Sequence, residues 1–223
     1  MIALIQQKDL LRARLAGRKT ELLLACYVPL YLVIFFLVEA AVPQTEYWVS
    51  YLPIDDRIPF WPPAVLGYLL WFPFLLGTGL WLFCREPRAF RRMMRFMIVS
   101  FTSISIFYVL WPNGQDLRPA SLGEPGVFPR LVGLVYSIDT NTNVFPSLHV
   151  VGCCMATNAY FDAPSLRPLR GWAVFASLLI CCSTVLVKQH SVLDLIGGVC
   201  FCVPLTLVVY HRRLGFGPAA KKG

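Results

Sequence analysis

Long apolar runs alternate with short polar segments along most of the chain. A helix needs roughly 20 apolar residues to cross a hydrocarbon core of about 30 Å, and several runs reach that length. The alternation predicts an all-α, polytopic membrane protein built as a six-transmembrane-helix bundle. The fourth run is short for a crossing, so we expect its ends to extend or the bilayer to thin. The predicted spans cover residues 21–41, 64–84, 93–111, 147–161, 171–187 and 190–210.

Both ends of the chain carry basic residues outside the predicted spans. Residues 1–20 interleave Lys and Arg with apolar residues, a pattern typical of an amphipathic helix lying on a membrane surface. The first span lacks a small-residue cleavage site, so it predicts an anchor and not a removable signal peptide. We therefore divide the chain into a cytoplasmic amphipathic segment (1–20), a six-span membrane domain (21–210) and a basic cytoplasmic tail (211–223).

Composition agrees with a membrane protein and sets its orientation. The chain is 57% hydrophobic and 14% charged, with a net charge of +8 and a mean hydropathy of +0.62. If the N-terminus is cytoplasmic, 16 of the 20 Lys and Arg residues lie in cytoplasmic segments. This positive-inside bias predicts that both termini are cytoplasmic. Contact with anionic lipid explains the net charge, so we expect no nucleic-acid partner.

Two connecting segments are long. The loop over residues 42–63 is rich in aromatic residues and proline, which indicates either an interfacial cover beside a lipid entry path or a passive connector. The connection over residues 112–146 is long for a compact bundle, and such loops are usually functional. Eight cysteines lie in or beside apolar runs without metal-ligand spacing, so we expect neither a metal site nor a cofactor.

The first candidate site lies where a polar, turn-rich stretch ends at Pro146. Ser147 is a favoured N-cap residue, so the sequence predicts that a helix begins there. Free backbone N–H groups and the helix dipole make such an end an anion site. His149 lies in the first turn, where it can donate a proton to a bound anion. The alternative is a capped membrane helix with an incidental histidine.

The second candidate site is the pair His190 and Asp194. The two residues are four apart, so one helical turn brings the carboxylate to an imidazole nitrogen. That contact fixes the tautomer and leaves the other nitrogen free as a base or nucleophile. The alternative is a structural pair that caps the last helix. The predicted topology places this pair, the Arg118 loop and the start of the fourth span on the same outer side of the membrane.

Three short motifs lie between the third predicted span and the sixth: Arg118-Pro119, Phe145-Pro146-Ser147-Leu148-His149 and His190-x-x-x-Asp194. They resemble the three signatures of the type 2 phosphatidic acid phosphatase superfamily of membrane enzymes. The Phe-Pro-Ser-Leu-His form is similar to the branch that includes inositol phosphorylceramide synthases and many bacterial lipid phosphatases. The six-span layout agrees with this resemblance.

The resemblance implies a role for each matched position. His190 is the implied nucleophile, which forms a phosphohistidine, and Asp194 orients it. His149 is the implied general acid that protonates the leaving oxygen. Arg118, Ser147 and nearby backbone N–H groups, Leu148 among them, are implied to bind the phosphate oxygens. Phosphoryl transfer is mostly positioning and charge stabilisation, which cations and amides can supply without a metal.

The chain departs from the family pattern at two positions. The first signature opens with a lysine seven residues before Arg118, where this chain has Trp111. The third carries an arginine six residues before the nucleophile, where this chain has Thr184. Lys188 lies one turn beyond Thr184 and would supply a phosphate-binding cation if the helix continues through this junction. A lysine offers a point charge and not a bidentate fork, which changes affinity or substrate choice.

The predicted function is hydrolysis of a lipid phosphate monoester or pyrophosphate at the extracytoplasmic face of a membrane, such as a bacterial plasma membrane. One alternative is a lipid phosphotransferase, in which an alcohol such as inositol resolves the intermediate. Another is a non-enzymatic transporter or scaffold with a polar outer pocket. The expected partners are a lipid phosphate and the bilayer, whereas the particular lipid and the oligomeric state stay open.

Overall fold

The computed structural model describes residues 17–41 and 46–210. The predicted amphipathic segment at residues 1–20 lies almost wholly outside these ranges, and the predicted basic tail at 211–223 lies wholly outside them. Helices dominate the described residues, and the only regular strands among them are two of two residues each.

The first predicted span corresponds to two consecutive helices, α1 (Lys19–Ala25) and α2 (Tyr27–Ala41), and the second to α3 (Val65–Leu69) and α4 (Trp71–Arg85). Short 3-10 turns occur at Asp55–Arg57, Pro62–Ala64 and Arg167–Leu169. The remaining elements are β1 (Trp48–Val49), α5 (Pro87–Leu110), β2 (Asn113–Gly114), α6 (Val127–Ile138), α7 (Leu148–Asp162), α8 (Arg170–Leu186) and α9 (Val192–Tyr210).

Five helical segments in the described ranges are long and apolar enough to cross a membrane. Their mean hydropathies lie between 1.7 and 2.3, which suits a hydrocarbon environment. The expectation of an all-α, multi-pass membrane protein is therefore supported, although the sixth crossing stays a prediction. The five segments are Lys19–Ala41, Pro62–Arg85, Pro87–Leu110, Arg167–Leu186 and Val192–Tyr210.

The predicted fourth span corresponds to α7, which has 15 residues and is the centre of the bundle. It packs against α4, α5, α8 and α9. Val150, Val151, Gly152 and Cys153 are buried in succession, so this part of the helix lies in the interior of the bundle.

The third predicted span begins earlier than expected. The predicted span began at residue 93, whereas α5 begins at Pro87, a residue well suited to the first helical position. Two of the basic side chains within this helix, Arg91 and Arg92, pair with carboxylates of other helices. Arg92 Nη2 lies 2.6 Å from Asp162 Oδ2, and Arg91 forms a second ion pair at 3.2 Å with Glu21.

Loops from three parts of the chain meet over the end of the bundle at which α7 begins. Strand β1 pairs with β2 in parallel, and Gly114 of β2 forms an antiparallel bridge with Thr142. A Cβ on Gly114 would lie 2.6 Å from the Tyr47 ring and 2.9 Å from the Asn141 carbonyl oxygen. Only glycine allows these loops to approach so closely.

The junction between the last two helices is not helical. Helix α8 ends at Leu186, and α9 begins at Val192, two residues later than predicted. Lys188 between them has a φ of +55°, which no α-helical residue adopts. The helix that was expected to carry Lys188 toward the site therefore stops before it, and that premise was wrong.

Candidate active site

Ser147 begins α7, as the sequence predicted. Its backbone is extended, and its buried Oγ accepts a hydrogen bond from the Val150 N–H at 3.4 Å. Leu148 is the first residue of the helix. The N–H groups of a first helical turn lack intrahelical acceptors, so this end of α7 has the anion-binding character that the sequence indicated.

The two predicted histidines lie in direct contact. His149 comes from the first turn of α7, and His190 comes from the turn before α9. Nδ1 of His149 lies 3.2 Å from Nε2 of His190, and both rings are buried. Residues 41 positions apart in the sequence are thus brought into one site, and they are not on opposite sides of the bundle.

Two adjacent glycines of α9 make this contact possible. A Cβ on Gly198 would lie 2.9 Å from Val150 Cβ and 3.1 Å from the Ser147 carbonyl oxygen, and one on Gly197 would overlap the Phe145 ring. Cβ atoms do not approach other heavy atoms so closely without a shift of the backbone. The start of α9 packs against the start of α7 because both positions lack a side chain.

Asp194 is fully buried and holds His190 from the other side. His190 Nδ1 lies 3.2 Å from Asp194 Oδ2, which also accepts the Ser191 N–H at 2.9 Å. Ser191 Oγ in turn accepts the Asp194 N–H at 3.2 Å. This reciprocal pair is a capping box, and the Ser-x-x-Asp spacing in the sequence could have revealed it. The His190–Asp194 contact was correctly predicted, although a capping turn forms it and not a helical one.

Ser50 is the residue of this cluster that the sequence did not reveal. Its Oγ donates to Asp194 Oδ1 and lies 2.8 Å from Ser191 Oγ. Its own N–H donates to the Gly114 carbonyl oxygen at 2.7 Å, which fixes the loop after β1. The loop predicted as either a cover or a passive connector therefore supplies a buried contact to the site. No local signal marks a single serine in a connecting loop.

The hydrogen bonds around Asp194 favour one tautomer of each imidazole. Both oxygens of Asp194 accept hydrogen bonds, from the Ser50 hydroxyl and the Ser191 N–H, so we infer that His190 donates from Nδ1 and presents a lone pair at Nε2. That lone pair accepts from Nδ1–H of a neutral His149 at 3.2 Å. Nε2 of His149 then also carries a lone pair, and this buried atom has no hydrogen-bond partner in the described part of the chain. It is the free proton-accepting position of the cluster.

Aromatic side chains of the second span hold the His149 ring. Its centroid lies 4.4 Å from that of Tyr68 and 4.9 Å from that of Trp71. Trp71 Nε1 also donates to the His149 carbonyl oxygen at 3.1 Å. We interpreted these aromatics only as apolar span residues, because helical periodicity does not show which side chains meet a residue from another helix.

Arg118 is held next to the turn that carries His190 by hydrogen bonds to a backbone carbonyl oxygen and to the Gln189 side chain. Its Nη2 donates to the Asp139 carbonyl oxygen at 2.6 Å and to Gln189 Oε1 at 2.8 Å, and its guanidinium lies 4.0 Å from the centre of the Tyr136 ring. Burial lowers the pKa of Arg118. Its Nε is buried without a partner among the described residues, so one donor is free.

Asp139 is a carboxyl group that the sequence did not assign to the site. The Tyr68 hydroxyl donates to its Oδ2. Burial raises the pKa of Asp139, against the opposing effects of the Tyr68 hydrogen bond and of nearby His190 and Arg118. An ionised carboxylate here would repel a bound anion, so its protonation state affects what the site can hold.

Lys188 is buried, and it forms hydrogen bonds to residues of the two long connecting segments. Its Nζ donates to the Asp55 carbonyl oxygen at 2.7 Å, and its own carbonyl oxygen accepts from Gln115 Nε2 at 3.0 Å. Asp55 Oδ1 accepts the Val192 N–H at 2.8 Å, so the same loop also caps α9. Phosphate binding by Lys188 stays a prediction.

Trp111 and Thr184 are the two positions at which the chain departs from the signatures that it resembles. Trp111 is 54% exposed at the end of α5. The Thr184 carbonyl oxygen accepts the N–H groups of Gln189 at 2.9 Å and His190 at 3.2 Å. Thr184 therefore stabilises the turn that carries His190 through its backbone.

No protein-family model, curated protein or solved structure matches this chain. The motifs and the geometry of the site are therefore what bear on its function.

Proposed function

We propose that the protein is an integral membrane lipid phosphatase that cleaves a lipid phosphate monoester or pyrophosphate through a phosphohistidine on His190. The observation that carries this proposal is the buried series of contacts from Asp194 through His190 to His149. Asp194 leaves His190 Nε2 with a lone pair for attack, and His149 lies close enough to exchange a proton with a group bound there.

During transfer, the phosphoryl group must lie between the imidazole rings of His190 and His149. A nucleophile approaches phosphorus from about 3 Å, and the leaving oxygen must also hydrogen-bond to the acid, so the nitrogens must separate to roughly 6 Å. They are 3.2 Å apart in the structure. In this proposal His149 is the ring that moves, because Asp194 holds His190 through a hydrogen bond whereas Tyr68 and Trp71 contact the His149 ring only by packing. The movement breaks one hydrogen bond, which costs about 1 kcal/mol, and it also changes the packing against these two aromatic rings.

The reaction then has two steps. The unpartnered Nε2 of neutral His149 first takes a proton from the bound phosphate monoanion, which makes His149 an imidazolium. His190 Nε2 attacks phosphorus, the bond from phosphorus to the leaving oxygen breaks, and the His149 imidazolium gives that oxygen a proton. Neutral His149 next takes a proton from water as the water oxygen attacks phosphorus and the bond to His190 breaks. Inorganic phosphate takes this proton back from His149 and leaves, and His149 is neutral again. One histidine thus acts as acid and then as base.

Cationic and amide groups around the histidines bind the phosphate in this proposal. Ser147 and the Leu148 N–H lie at the start of α7, where the helix dipole favours an anion. Arg118 has one free donor, and Lys188 supplies a second positive charge from the turn before His190. Phosphoryl transfer mainly requires such charges to be in position before the reaction begins.

The proposed setting is a six-span bundle with cytoplasmic termini and the histidines at the extracytoplasmic face, as in a bacterial plasma membrane. Two observations support this orientation. The positive-inside bias is strong. Arg92, next to Arg91, pairs with Asp162, the last residue of α7, about 20 Å along the helix from His149. The basic end and the histidine end are therefore opposite ends of the bundle.

The test is a phosphate-release screen with purified protein over long-chain phosphatidate, phosphatidylglycerophosphate, a polyprenyl pyrophosphate and phosphosphingolipids. The phosphatase predicts release of inorganic phosphate and an acid-labile phosphoenzyme. Addition of inositol or another alcohol separates the phosphotransferase, because a transferase moves the phospho-headgroup to the alcohol in preference to water.

Two single-histidine variants complete the test. His190→Ala should abolish turnover and the phosphoenzyme, whereas His211→Ala, which changes the third histidine of the chain, should retain both. Turnover at the parental rate in His190→Ala would refute the proposal. If lipid or ligand passage changed instead, the transporter alternative would gain support.

A further inference from the structure

An apolar groove runs along the faces of α7, α8 and α9. Its volume is about 410 Å³, within the usual range of small-ligand sites. The α7 positions that line it recur at helical spacing, at residues 150, 153, 154, 157 and 158, so they form one face of the helix. From Val150 to Asn158 this face extends about 12 Å along the bundle.

The lining of the groove has almost no free polar groups. Thr157 Oγ1 and Ser177 Oγ lie 2.8 Å apart, and Asn158 Nδ2 donates to Thr206 Oγ1 at 2.8 Å. These polar side chains satisfy each other, and the rest of the lining is aliphatic side chains and cysteine thiols. An occupant of the groove must therefore be apolar, since a polar one would lose its hydrogen bonds to water without replacing them.

The position of the groove in the bundle favours a hydrocarbon chain as its occupant. Leu178 and Val203 at its margins are 61% and 54% exposed, so the groove is open along one side to the surroundings of the bundle. In a membrane those surroundings are lipid tails, which can enter sideways.

The groove begins beside the histidine site. Val150, which lines it, directly follows His149 and packs against Gly198. We infer that the groove holds one hydrocarbon tail of the lipid whose phosphate lies at His149 and His190. This inference rests on the proposed function for the phosphate, but the tail contact is a separate property that can be measured alone. It assigns substrate selection to α7, α8 and α9, with preference for long tails over short ones.

Neighbouring cysteines of α8 provide a matched test. Cys181 lines the groove, whereas Cys182 does not line it and is exposed. Cys181→Phe should fill the groove and raise KM for a long-chain phosphatidate about tenfold, equivalent to about two buried methylene groups. Its kcat/KM for a short-chain phosphatidate should change less than about twofold. Cys182→Phe should leave both values unchanged. An unchanged KM in Cys181→Phe, or equal losses on both substrates, would overturn the inference.

A second pair covers the case in which Cys181→Phe does not fold. Leu178 lines the margin of the groove, while the adjacent Leu179 is exposed but not part of the lining. Leu178→Trp should weaken selection for the long chain, and Leu179→Trp should not. Equal melting temperatures in detergent would show that both variants are folded, and equal selectivity in both would count against the groove.

Binding without turnover separates this inference from the proposed function. A phosphatidate with a photoreactive group in its tail should label peptides from α7, α8 or α9, with labelling reduced in Cys181→Phe and retained in Cys182→Phe. If the parental protein releases no phosphate but shows this pattern, the proposed phosphatase fails and the groove stands. Labelling only elsewhere on the protein would refute the groove whatever the activity.

Discussion

The Ser50 hydroxyl donates a hydrogen bond to Asp194 Oδ1, although 144 positions separate the two residues along the chain. Ser50 is fully buried, and its backbone N–H is itself held by the Gly114 carbonyl oxygen. The loop after the first membrane segment thereby fixes one oxygen of the carboxylate whose other oxygen faces His190. Ser50 is a positioning residue in the proposed mechanism, since it reaches the imidazole only through Asp194.

Ser50→Ala should lower kcat about tenfold to a hundredfold, because an unsatisfied buried carboxylate oxygen costs about 1–3 kcal/mol and shifts the pKa of its partner. The pH–rate profile should shift with it, which a purely structural defect would not produce. Ser50→Thr retains the hydroxyl and should recover most of the activity. Ser137→Ala, at an exposed serine, is the matched control. An unshifted profile in Ser50→Ala would refute the positioning role.

His149→Ala should affect substrates according to their leaving groups. We expect a loss of about 10²–10⁴-fold in kcat on a lipid phosphate, whose alkoxide leaving group needs a proton. The loss should be much smaller on an aryl phosphate, whose leaving group departs unprotonated. His190→Ala should abolish turnover of both substrates. Equal losses on the two substrates in His149→Ala would show that this residue is not the acid.

Lys188 combines a positive φ with a buried ammonium. Its variants must therefore distinguish the effect of losing the charge from the effect of straining the backbone. Lys188→Asn removes the charge but tolerates the left-handed conformation, and Lys188→Arg keeps the charge. We expect KM for the lipid phosphate to rise about tenfold in Lys188→Asn and much less in Lys188→Arg. Hydrolysis by Lys188→Asn at the parental rate and KM would refute the proposed substitute cation.

Asp139 should make the protein less stable as pH rises. Burial raises the pKa of its carboxyl in the fold above the ordinary value of about 3.9. The folded state therefore binds this proton more tightly than the unfolded state, and stability falls as pH rises from about 4 through the folded pKa. Asp139→Asn should remove this component. Thermal unfolding in detergent across the acidic range measures it, and identical pH dependence in both proteins would contradict it.

Gly198 should tolerate no side chain. A Cβ there would approach the Ser147 carbonyl oxygen and Val150 too closely, so Gly198→Ala should destabilise the protein by about 1–3 kcal/mol. The displacement should also separate the two histidines and lower kcat. Gly77, whose added Cβ would meet nothing within 4 Å, provides the control as Gly77→Ala. Equal stability and activity in the two variants would show that the helices can adjust.

Local patterns in the sequence identified most of the helices and those parts of the site that lie within one helical turn. Apolar runs located the membrane segments because burial in lipid needs consecutive apolar residues. The start of α7 at Ser147 and the His190–Asp194 contact follow from signals that act within one helical turn. The start of α5 was predicted too late because the arginines before residue 93 interrupt the apolar run, whereas two of them pair with Glu21 and Asp162 of other helices.

The sequence by itself determined that the chain is helical and suited to a membrane, and it identified the two histidines and the aspartate as candidates. Only the tertiary structure decided that His149 and His190 touch, that Ser50, Tyr68 and Asp139 complete their surroundings, and that Lys188 lies in a turn. Helix and cap signals depend on neighbours within about four residues, so a single chain records them directly. Contacts across 41 or 144 positions depend on how whole helices and loops pack, which no short stretch of sequence encodes.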